Sequence, residues 1–150
     1  MKNLYDPATV NDMKSRIGRL SPDSVRQWGT MSAAQVVAHL CVGVQMGLGE
    51  VNPRRPLIGR VVGPLIKSKV LGNDEPFRRN SPTSPEMVIK DGRDLDAERV
   101  RLVELLDRFT AAGPAGCTTH PHAFFGPMTP AEWGILMYKH MDHHLRQFGV

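Results

Sequence analysis

Apolar side chains recur at three- and four-residue steps along most of this chain, the spacing that gathers them on one face of an α-helix. Val10, Met13, Ile17 and Leu20 form the first stripe, opened by Asp6-Pro7 and closed by Ser21-Pro22-Asp23-Ser24. An acidic N-cap followed by proline at the first helical position starts a helix, and a Ser/Pro/Asp cluster breaks one. Trp28 leads into Ser32-Ala33-Ala34-Gln35, which has capping-box spacing, and the run from Val36 to Val44 is apolar on nearly every side. A helix of that kind belongs inside a core. From Pro56 to Leu71 apolar and basic residues are interspersed with Gly59, Gly63 and Pro64, which predicts a short or broken helix. Gly72 to Asp94 is rich in Pro, Ser, Asn, Asp and Arg and reads as a long surface connection. The next helix starts at Asp94 or Asp96, takes Val100, Val103, Leu106 and Phe109 as its face, and stops at Gly113-Pro114.

The final helix is legible at both ends. Thr129 and Glu132 have capping-box spacing, Pro130 suits the first helical position, and Gly149 ends the helix. Between them Trp133, Leu136, Met137, His140, His144 and Phe148 make the core-facing stripe. Strand signals are almost absent. The expectation is therefore an all-α fold: four long helices packed as a bundle, a long crossover between the second and third, and one extra short or broken helix at about residues 56–71. At 150 residues the chain is the size of a single domain, 1–150.

Two histidines on that stripe change the picture from structure to chemistry. A four-residue step returns to within about 40° of its starting direction, so His140 and His144 aim at a common point, as in a helical metal clamp. Neutral imidazole binds zinc, nickel, copper or iron, and two such donors make half of a tetrahedral set. The competing reading is a pair of core histidines hydrogen-bonded to their neighbours. His39 weighs against it, because it is the only ionisable nitrogen donor of the apolar second helix. Burying an imidazole without a partner costs on the order of 1–3 kcal/mol, and ligation to the same ion would supply one; a carbonyl or a water would serve too. His143 falls roughly 100° from His144, off the stripe, and is read as a neighbour of the ligands or a solvated side chain. Gln147, seven residues after His140, faces the ion, a substrate or a structural amide contact. His122, in the loop Thr118 to Gly126, is a further candidate near the site, although a loop histidine is more often solvated.

Composition narrows the class. Cys41 and Cys117 are isolated from each other and make neither a disulfide framework nor a Cys-x-x-Cys motif. No apolar run reaches the ~18–20 residues of a membrane span, and the first residues lack the apolar core of a signal peptide, so the expected location is cytoplasmic. The net charge is +4, and residues 51–80 carry seven basic side chains against two acidic ones, a local +5. No aromatic interleaving, recognition helix or zinc-finger spacing accompanies that surplus, which argues against nucleic acid and for a basic rim that attracts small anions. The expected partner is a small molecule, with neither nucleic acid nor membrane.

Trp28 with Ser32-Ala33-Ala34-Gln35-Val36-Val37-Ala38-His39-Leu40, and His140-x-x-His143-His144-x-x-Gln147 at the end, resemble the DinB-like (YfiT-type) metal-binding four-helix-bundle superfamily. The branch most similar is known only as a domain of unknown function. Its ending Phe-Gly-x-Leu-Thr-x-x-Glu-Trp…His-x-Asp-His-His-Leu-Arg-Gln-Phe-Gly is matched from Phe125 to Gly149, with Met128 at the leucine position, whereas residues 50–95 match weakly. One departure is Ala123, where the branch has His-Pro-Phe-Phe-Gly; His122 matches the histidine of that motif. The resemblance implies that His39, His140 and His144 hold a divalent metal ion, zinc or nickel foremost, and that the protein forms a homodimer as relatives commonly do. Characterised members include S-transferases that use low-molecular-weight thiols such as bacillithiol or mycothiol. The implied activity is a thiol-dependent S-transferase or a hydrolase acting on a small electrophile. Its nucleophile would be a water or thiol activated by the ion, and Arg54, Arg55 or Arg78 would hold the carboxylates of the thiol. The competing reading is a non-catalytic bundle, stabilised by metal or binding a small molecule.

Overall fold

The computed structural model describes residues 1–81 and 83–150. Five α-helices account for its architecture, α1 (Pro7–Gly18), α2 (Ala33–Gly47), α3 (Leu57–Leu71), α4 (Leu95–Ala112) and α5 (Pro130–Gln147), with single 3₁₀ turns at Pro85–Met87 and Pro114–Gly116. Among the described residues there is no strand, only an isolated bridge between His122 and Gly126, so the fold is all-α.

Each predicted start is made by the expected cap. Asp6 accepts from the Thr9 amide at 2.9 Å, and Asp94, rather than Asp96, accepts from Ala97 at 2.7 Å. Ser32 with Gln35 and Thr129 with Glu132 form full capping boxes. Such caps satisfy amides that the first turn leaves without intrahelical partners. They also fix the registers of α2 and α5, which carry the histidines. At the far end of α5, Gly149 adopts φ +73° and lets the chain leave the helix.

Helices α1, α2, α4 and α5 surround one core, α2 packing on α4 and α5, and α1 on the same two. Val10, Met13, Ile17 and Leu20 meet Val36, Val37, Leu40, Leu102, Leu106, Phe109, Trp133, Met137 and Leu145 there. The face of α4 differs from the predicted one. Leu95, Leu102, Leu105, Leu106 and Phe109 are buried, whereas Val100 is 59% exposed. Repeated three-residue steps slip about 60° each, so the series 100, 103, 106, 109 winds around the helix and only its last two members reach the core.

Helix α3 is neither short nor broken. It runs 15 residues through Pro64, which is exposed and withholds one backbone donor, from the Arg60 carbonyl. α5, in turn, is buried on more than its apolar stripe. Lys139 donates to the carbonyls of Val70 and Asn73, and Asp142 pairs with Arg16 at 2.7 Å and with Arg146 at 2.7 Å. These polar positions are tolerated inside because each has a partner.

Candidate metal centre

α2 and α5 bring His39, His140 and His144 together, with one ring nitrogen from each lying within 4.8 Å of the other two. His39 is buried, while His140 and His144 keep part of their surface open to solvent. Ring centroids are separated by 4.6–4.9 Å, and every pair meets edge to face.

The neighbours of the rings set their tautomers. His39 Nδ1 lies 2.7 Å from the Met87 carbonyl, which can only accept, so Nδ1 carries the proton and Nε2 presents a lone pair. His144 Nδ1 lies 2.9 Å from Gln147 Oε1, and the same amide donates through Nε2 to the Trp28 carbonyl at 2.7 Å, which fixes its orientation. His144 is thereby held in the same tautomer. His140 Nε2 lies 2.8 Å from Nε2 of His39 and, since that nitrogen is the acceptor, carries the proton between them, a proton that an ion bound there would displace. Two nitrogens on a tetrahedral ion with bonds of about 2.0–2.1 Å lie about 3.3 Å apart, a difference small ring rotations cover. Burial, followed by the proximity of the other imidazoles, drives the pKa of His140 well below its usual range and that of His144 to about 3; burial also lowers His39. All three are neutral near pH 7, the form in which imidazole binds metal.

The other candidates separate clearly. Gln147 does not face an ion; it holds His144. His143 is not solvated. It is buried, its ring sits 5.6 Å from that of Trp28 and 6.1 Å from that of Phe77, and it lines a cavity of about 370 Å³ beside the cluster with Arg79 and Arg146. His122 accepts at Nδ1 from the amides of Phe124 and Phe125 at 3.1 and 3.2 Å. Burial and the nearby Arg55 charge lower its pKa to about 4, so it is neutral, with its proton on Nε2. It stands close enough to influence His140 but outside the three-nitrogen cluster. Arg54 and Arg78 are exposed, whereas the Arg55 guanidinium lies against Gly126, next to His122. Cys41 is buried, its thiol pushed up to about 12 chiefly by burial; it is a packing residue.

Sequence reasoning missed two contributors. Met87 acts through its backbone carbonyl, which leaves no mark in a residue pattern. Gly43 does leave one, a glycine inside a helix one turn after His39. A Cβ there would sit 3.0 Å from His140 Nδ1, so its absence makes room for the ring.

These observations define an all-helical protein with a cluster of three neutral histidines shared by two helices. The chain belongs to the family described as protein of unknown function (DUF1569), whose profile matches residues 6–149. No curated protein and no solved structure matches it.

Proposed function

We propose that the protein is a metal-dependent enzyme of the DinB-like four-helix-bundle type, in which His39, His140 and His144 hold a divalent cation through Nε2. The observation that carries this reading is the pair of second contacts, Met87 carbonyl to His39 and Gln147 to His144, which leave Nε2 of both rings unprotonated within a cluster where one nitrogen of each histidine lies within 4.8 Å of the others. Outward hydrogen bonds from metal-binding histidines to carbonyls and carboxamides are the usual means of fixing such ligands.

Three protein donors suit a catalytic rather than a structural site, since structural zinc is closed by four. His143 and Gln147, the two residues placed to close the sphere, are engaged elsewhere. A bound divalent cation would supply Lewis acidity, lowering the pKa of a water or a low-molecular-weight thiol at neutral pH. Around it, the partly exposed His140 and His144 leave access to a small molecule. Arg55 offers a positive charge for a carboxylate on the thiol or the electrophile. His122, with its proton on Nε2, offers a hydrogen bond but no ligand. Transfer of a thiol to a small electrophile, or its hydrolysis, is the chemistry these groups fit best.

Elemental analysis of freshly purified, untagged protein tests the reading. We expect about one equivalent of a divalent metal, lost in His39→Ala, His140→Ala and His144→Ala while the helical circular dichroism persists. Absence of metal from the native protein, together with equal uptake by the three variants, would exclude the site. Conjugation of bacillithiol, mycothiol or glutathione to an electrophile by the loaded protein then separates transferase from hydrolase.

A further inference from the structure

Helix α3 turns its apolar side away from the protein. Its opposite side carries Gly59 and Gly63, one turn apart, against residues 123–125. A Cβ at Gly63 would lie 1.8 Å from the Phe124 carbonyl oxygen, and one at Gly59 would lie 3.1 Å from that of Ala123. Backbones this close admit no side chain at Gly63 and little at Gly59, so the rotation of α3 about its axis is fixed. With that rotation Leu57, Ile58, Val61 and Leu65 are 78, 66, 71 and 75% exposed. At about 100° per residue these four fall within an arc of about 100° roughly opposite the glycines, with Lys69 about 20° beyond one edge and Arg60 about 60° beyond the other. Four large aliphatic side chains on one exposed arc form a patch that calls for a partner.

Charge identifies the partner. The segment 51–80 carries a net +5, and among the described residues no acidic side chain pairs with Arg54, Arg60 or Lys69, all of which are exposed. In a two-fold contact with a second copy, the same patch would meet itself and set these cations against one another. An anionic lipid surface instead offers an apolar interior to the stripe and phosphates to its borders. We propose that α3 lies in the interface of an anionic membrane, with Leu57, Ile58, Val61 and Leu65 among the acyl chains and Arg54, Arg60 and Lys69 at the headgroups. No helix among the described residues is long and apolar enough to cross a membrane, and a helix lying in the interface requires no such length. The lack of a spanning run, on which the expectation of no membrane partner rests, does not bear on this mode of contact, which depends on how apolar and basic residues are phased around α3. The inference is independent of the three histidines.

Cosedimentation of the full chain tests it, using vesicles of equimolar phosphatidylglycerol and phosphatidylcholine or of phosphatidylcholine alone. Binding should be at least about tenfold stronger to the anionic vesicles and fall as salt is raised. Val61→Glu with Leu65→Glu should abolish it. Arg60→Glu with Lys69→Glu, which keeps the apolar stripe, should do the same. All four positions are at the surface, so thermal unfolding should confirm that both variants fold. Failure of the native protein to bind anionic vesicles overturns the proposal. So does equal binding to both vesicle types, or a concentration-dependent dimer in ultracentrifugation that Val61→Glu dissociates.

Discussion

Gln147 is 2% exposed and spends both ends of its amide on one task, accepting from His144 and donating to Trp28. Gln147→Leu keeps the bulk but removes the acceptor, leaving His144 free to change tautomer. Metal affinity, measured by competition with a chromophoric chelator, should fall about 10- to 100-fold. Gln147→Glu keeps an acceptor for Nδ1 but loses the donor to the Trp28 carbonyl, so its affinity should fall between those of the native protein and Gln147→Leu. Equal affinity in all three proteins would remove the positioning role. The three clustered histidines are legible in the sequence because helical spacing and an apolar setting are properties of residues. The acceptors that fix the His39 and His144 tautomers are less so. Gln147 sits on a suggestive spacing but admits several roles, and a backbone carbonyl such as that of Met87 has none.

Elements were legible where a cap and a stripe agreed. α1, α2 and α5 begin as their caps predict, whereas the face of α4 required knowing which of two adjoining leucine and valine series meets α2. α3 was obscured because its organising residues are glycines, which mark close approach in a structure and interruption in a sequence. Gly63→Ala tests this assignment. Alanine favours a helix interior by about 1 kcal/mol over glycine, but the clash with the fixed Phe124 carbonyl should reverse the sign and cost a net 1–3 kcal/mol, roughly, in denaturant unfolding. Gly18→Ala in α1, where nothing lies within 4 Å of the added carbon, is the control and should not destabilise the fold. A stabilised Gly63→Ala protein would show that α3 is not held by that contact.

For the whole molecule, the buried imidazoles link stability to pH. The folded pKa of His122 is about 4 and that of His144 about 3, below the 6.5 of an exposed histidine, so the unfolded chain binds more protons in between. Stability of the metal-free protein is then fully present above pH 6.5 and declines as pH falls toward 4, by at most about 1.4 kcal/mol per pH unit for each histidine. Melting temperature at constant ionic strength should follow that slope. His122→Asn, which preserves an acceptor for the Phe124 and Phe125 amides without titrating, should make the slope shallower. An unchanged slope would mean that His122 titrates normally.

The Met87 carbonyl gives the 72–94 crossover a standing that its composition conceals. Among its described residues the one regular element is the Pro85–Met87 turn and none joins the histidine cluster, yet the Met87 carbonyl decides which nitrogen of His39 is available. If the three histidines hold an ion as proposed, a change of length or course in this loop would alter the tautomer of His39, and with it metal affinity, while every histidine stays in place. On that reading the three histidines alone would not specify the site; the backbone that carries Met87 would be part of it.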